Sequence, residues 1–86
     1  MTGLSNDLKP VPINIVAEFG ITLYSRWSRR ANGATLVVVR RTCGESLDMC
    51  DSIEVLDLQN EVTTPVHPAT WIQWIKDGKI SKIFKR

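Results

Sequence analysis

An α+β fold is predicted for this 86-residue chain: a small antiparallel β-sheet of three to five strands with a C-terminal α-helix packed on one face. Three features carry that prediction. Asn32-Gly33 stands between two β-prone runs, a strong short-range hairpin signal because both residues tolerate positive φ. Ser52 to Leu58 alternates as a half-buried strand does. Pro68 to Asp77 carries apolar residues at helical spacing, with a proline suited to the first helical position and Gly78 suited to a left-handed stop.

The length supports one core, so residues 1–86 are expected to form a single domain, with 1–12 as an extended N-terminal arm. Pro10 and Pro12 fix φ there and favour an extended entry. The segment from Ile13 to Trp27 fits two patterns. Ile13, Val16, Ala17, Gly20, Leu23, Tyr24 and Trp27 lie on one helical stripe, and Pro12 is placed to open a helix. Its β-branched and aromatic content favours strands instead, and Gly20 would cost a helix about 1 kcal/mol relative to Ala. Ile21 to Trp27 and Ala34 to Arg40 then become the two arms of the hairpin. Leu36-Val37-Val38-Val39 is apolar on both faces, as a covered central strand is.

Cys43 to Asp51 reads as a loop or a single helical turn, and Ser52 to Leu58 as a third strand. Thr63-Thr64-Pro65-Val66-His67-Pro68 reads as a break in regular structure. In the helix that follows, Trp71, Trp74 and Ile75 share one face and are expected to pack on Leu36, Val38, Ile53 and Val55. Burying each large side chain is worth about 1.5 to 3 kcal/mol. Lys79 to Arg86 reads either as a short edge strand or as a frayed basic tail.

A catalytic reading needs a nucleophile, or an acid and a base, held in geometry by partners. The single histidine, His67, is expected to cap the helix or to lie in the loop. The chain carries no glycine-rich phosphate cradle, no Gly-x-Ser-x-Gly elbow and no His-Glu-x-x-His. The expectation is therefore a protein that is not an enzyme and uses no cofactor. A metal site would have to be built from Cys43, Cys50 and His67 with Asp48 or Asp51. The cysteine spacing is too long for a zinc knuckle, and the two cysteines are read as reduced thiols.

The net charge of +2 is too small to argue for a partner, but its distribution is uneven. Acidic residues concentrate between Glu45 and Glu61, and basic ones in Arg26 to Arg41 and Lys76 to Arg86. Were Asn32-Gly33 a two-residue turn, Arg26 would lie near the level of Arg40 and Arg41. The candidate binding residues for nucleic acid or another partner are accordingly Arg26, Arg29, Arg30, Arg40, Arg41, Lys76, Lys79 and Lys82. On such a ribbon Trp27 either stacks on an unpaired base or fills the core, and the core is the commoner place for tryptophan.

Pro68-Ala69-Thr70-Trp71-Ile72-Gln73-Trp74-Ile75-Lys76-Asp77-Gly78-Lys79-Ile80 resembles the recognition helix and following turn of excisionase and MerR-type winged-helix regulators. The resemblance covers 68–80. It implies a helix-turn-helix in which Thr70, Gln73, Lys76 and Lys79 face DNA.

By elimination, the expected function is a small non-catalytic binding module. It would be an accessory protein of the phage or mobile-element type that modulates a larger host protein or complex. The alternative is a nucleic-acid-binding accessory or regulatory protein, using the basic hairpin or the excisionase-like helix over 68–78. Neither a signal peptide nor a membrane-spanning run is legible, so a cytoplasmic protein without a membrane partner is expected. Dimerisation through a sheet edge stays open.

Overall fold

A computed structural model describes residues 9–43 and 48–84. The elements in chain order are β1 (Val11–Pro12), α1 (Ile13–Glu18), β2 (Arg26–Arg29), β3 (Thr35–Cys43), β4 (Met49–Asp57), β5 (Val62–Val66), α2 (Pro68–Asp77) and β6 (Ile80–Lys82). β2 through β5 form an antiparallel meander, and β6 returns to pair with β2. β1 and β5 both lie along β4, so the six-stranded sheet is bounded by β6 on one side and by these two on the other. The α+β expectation is met, with more sheet than anticipated. The predicted arm falls partly on residues 1–8, outside the described residues, while Val11 and Pro12 pair with Cys50 and Met49.

Three expectations are corrected. Ile13 to Glu18 is helical rather than extended. Gly20, which counted against a helix, is what ends it: at φ 79° it takes the left-handed conformation. Gly20 N–H donates to the Ala17 carbonyl and Ile21 N–H to that of Val16, so the last carbonyls of α1 are satisfied. The first arm of the hairpin is consequently only Arg26–Arg29. Second, Val62–Val66 is a strand despite Pro65. It pairs only with β4, and proline is tolerated on an edge strand because no neighbour needs its missing N–H.

Third, the hairpin turn is longer than two residues. Arg29 N–H bonds to the Ala34 carbonyl and Gly33 N–H to that of Arg29, leaving residues 30–33 as the loop. Asn32 Oδ1 accepts from Ala34 N–H at 3.0 Å, and Gly33 supplies the positive φ.

The core lies where the curled sheet faces its helices. Trp27, Leu36, Val38, Cys50, Ile53, Val55 and Ile80 come from strands, Val16 from α1, Trp71 from α2, and Ile21 from the link between α1 and β2. Trp27 and Trp71 are nearly or fully buried and meet edge to face at 5.6 Å between ring centroids. As the sequence suggests, α2 opens with Pro68 behind His67, whose Nδ1 accepts from Ala69 N–H. It closes at Gly78, φ 77°, with Gly78 N–H on the Ile75 carbonyl and Lys79 N–H on that of Trp74. The helix-turn-helix implied by the resemblance is not formed, because strands β5 and β6 bracket α2.

A bulge at Val39 decides which way the arginines of β3 point. Strict alternation from Leu36 and Val38 would put Arg40 on the core side; the extra residue moves it to the outer face. There Arg40 lies 3.8 Å from Glu54, an exposed pair worth about 0 to 1 kcal/mol. Cys43 and Cys50 are register partners on β3 and β4.

Asp57 organises the β4–β5 turn. Its carboxylate accepts from the Gln59 and Asn60 backbone N–H groups and from the Asn60 side-chain amide. Desolvation pushes its pKa upward, but these hydrogen bonds and the Arg29 charge together hold it below the ordinary value of 3.8. A depressed pKa means that the carboxylate's contribution to stability is present above the unfolded value and is lost as the pH falls through the folded one. Asp57→Asn should therefore show a shallower loss of Tm between about pH 5 and about pH 3 than the unaltered protein, measured by thermal melts monitored by circular dichroism.

Candidate functional site

The eight basic candidates do not form one ribbon. Arg26 faces Val37, three residues short of Arg40, which is about 10 Å along the strand. Side chains alternate across a sheet, so Arg26 and Arg29 leave β2 on opposite faces. Arg29 is level with Ile80 on the core side, while Arg26 sits outside beside Val37. Arg40 is also outside, paired with Glu54, and half-buried Arg41 is level with Ile53 at the far end of β3. Lys76 projects from α2 with its ammonium 5.8 Å from the Phe19 ring. Trp27 fills the core, and its indole N–H donates to Ser25 Oγ at 2.9 Å.

Two surfaces emerge in place of the ribbon. The first is built by two turns that meet. Arg30 N–H donates to the Lys79 carbonyl at 2.9 Å, tying the 30–33 loop to the turn that ends α2. Between them opens a cleft of about 460 Å³, lined by Arg29, Arg30, Lys79, Trp74, Ile80 and Asp77 among others. The Arg30 guanidinium lies over Gly78, where an added Cβ would come within 3.9 Å of it. Trp74 is half-buried and leans on Trp71 at 5.8 Å between ring centroids.

The second surface surrounds Tyr24, which sequence reasoning passed over. Tyr24 has φ 65°, one of two non-glycine residues with positive φ among those described, and the residue is 71% exposed. An L-residue pays about 1 to 2 kcal/mol for this conformation. The chain around it over-determines the geometry. Tyr24 N–H donates to the Val38 carbonyl at 2.6 Å, and Val38 N–H returns to the Ser25 carbonyl. Ser25 Oγ donates to the Thr22 carbonyl at 2.6 Å while accepting from Trp27, so the turn is pinned to the core tryptophan.

Leu23, Tyr24, Arg26, Lys82 and Ile83 line a depression of about 370 Å³ beside this turn. Phe84, 81% exposed, lies instead beside a separate depression with Phe19, Ile75 and Lys82, whose ammonium is 5.7 Å from its ring. The sequence signal available was Tyr24 itself, but neither periodicity nor composition reports a left-handed residue that is not glycine.

What Cys50 and His67 do is also visible. Buried Cys50 directs its Sγ to the Ser52 carbonyl at 3.5 Å, and His67 serves as the helix cap. Among the described residues no helix is long and apolar enough to cross a membrane.

Because Tyr24 is strained and little packed, Tyr24→Gly should leave stability unchanged or raise it by up to about 1 kcal/mol, as relief of the left-handed penalty offsets the entropy glycine adds to the unfolded chain. Tyr24→Ala keeps the penalty and should be less stable than Tyr24→Gly by about 1 kcal/mol in urea unfolding. No protein-family model, no characterised protein and no solved structure matches this chain.

Proposed function

We propose that the protein is a small non-catalytic binding module that modulates a larger protein, in the manner of the accessory proteins carried by phages and other mobile elements, and that Tyr24 is the centre of its contact surface. The observation that carries this reading is the exposed tyrosine held at φ 65° by hydrogen bonds leading back to the core. Strain that persists because its surroundings enforce it clusters at contact and switch positions.

The chemistry around Tyr24 has the composition of an interface centre. Tyr24, Leu23 and Ile83 offer apolar area, and Arg26 and Lys82 flank it with positive charge. Tyrosine and arginine are enriched among residues that dominate binding energy. Tyrosine carries few rotatable bonds, so it loses little entropy when fixed. The matching partner surface is an apolar socket edged by carboxylates, whose charge would steer encounter.

Co-purification from cells that express the protein tests this directly. The unaltered chain should retain one protein partner in stoichiometric amount, and Tyr24→Ala combined with Leu23→Ala should lose it while the circular dichroism spectrum is unchanged. Retention by the double variant, or absence of a stoichiometric partner with the unaltered chain, contradicts the proposal.

A further inference from the structure

The cleft between the two turns lies apart from Tyr24 and goes beyond the reading above. We propose that it binds a short segment of single-stranded nucleic acid, with neighbouring backbone phosphates held by Arg29, Arg30 and Lys79 and one base against the Trp74 ring. Three cations and one carboxylate line it; Arg29 also acts on the Asp57 carboxylate, so Arg30 and Lys79 carry most of the positive charge open to a ligand. The cations come from separate elements, β2, the 30–33 loop and the turn after α2. The Arg30-to-Lys79 main-chain bond fixes their spacing.

The floor is apolar, formed by Trp74 and Ile80, and the volume of about 460 Å³ falls in the range of ligand sites. Guanidinium groups match phosphate oxygens with paired N–H donors, and an aromatic face accepts any base without hydrogen-bond readout. Phosphate alone would make no use of the exposed part of the Trp74 ring, and a purely apolar ligand would make no use of Arg30 and Lys79. The single-strand assignment follows because a duplex hides the faces of its bases in the stack.

Oligo(dT) and oligo(U) of about 12 nucleotides, titrated at about 50 mM salt with tryptophan fluorescence as the signal, test the proposal. Trp27 and Trp71 are buried, so saturable quenching reports on Trp74. Both oligomers should quench, and log K should fall with log salt at a slope near −2, as about three phosphate contacts on a single strand require. Arg30→Gln with Lys79→Gln should weaken binding at least 10-fold, whereas Arg40→Gln, at the far end of β3, should leave it unchanged. Trp74→Phe should keep affinity within a few-fold and abolish the quench, and Trp74→Leu should weaken binding. Absence of quenching at low salt overturns the proposal, as does an equal loss with Arg40→Gln, which would mean unspecific charge attraction. Equal affinity for thymidine or uridine monophosphate overturns the single-strand assignment in favour of a free nucleotide. The Tyr24 surface is untouched by these outcomes.

Discussion

The edge-to-face contact of Trp27 with Trp71 is the constraint on which the rest of the molecule depends. β2 is only four residues long and α2 only ten, and neither would hold its place by local propensity. Joining the two largest side chains of the core fastens the helix across the sheet. Once α2 is fixed, the turn at Gly78 must deliver the chain to β6 beside β2, and the Arg30-to-Lys79 bond follows from that delivery. Ser25 works from the other side of the same ring: its hydroxyl accepts the Trp27 indole N–H and anchors the Tyr24 turn. The Tyr24 turn is thus two hydrogen bonds from the indole pair, and the cleft meets it through the Trp74 ring.

What the sequence made legible was the part of the fold written in local chemistry. Pro68 and Gly78 bound α2 because one lacks a donor where none is needed and the other adopts φ 77° without a Cβ penalty. The β2–β3 hairpin follows from Asn32 and Gly33, although Asn32 spends its side chain on Ala34 N–H and the loop is longer. The short helix at Ile13–Glu18 was obscured because its residues suit strands equally. Only the tertiary position of Val16, buried at one end of the core, selects the helical form.

The sites were less legible than the fold. A cluster of arginines in sequence says nothing of the face each will take, since that depends on register and on the Val39 bulge, which are long-range properties. Arg29, Arg30 and Lys79 converge through pairing between β2 and β6, elements about fifty residues apart in a chain of 86. Tyr24 was hidden for another reason: its strain arises from hydrogen bonds to Val38 and from the Ser25 bridge, and no residue-type preference anticipates a tyrosine there.

A double-mutant cycle on Trp27→Leu and Trp71→Leu, read by urea unfolding, tests the central claim most directly. Coupling of about 1 kcal/mol or more between the two substitutions is what a shared edge-to-face contact predicts. Additivity within about 0.3 to 0.5 kcal/mol would mean that each indole fills its own space, and the tryptophan pair would no longer account for the placement of α2 and the surfaces it organises.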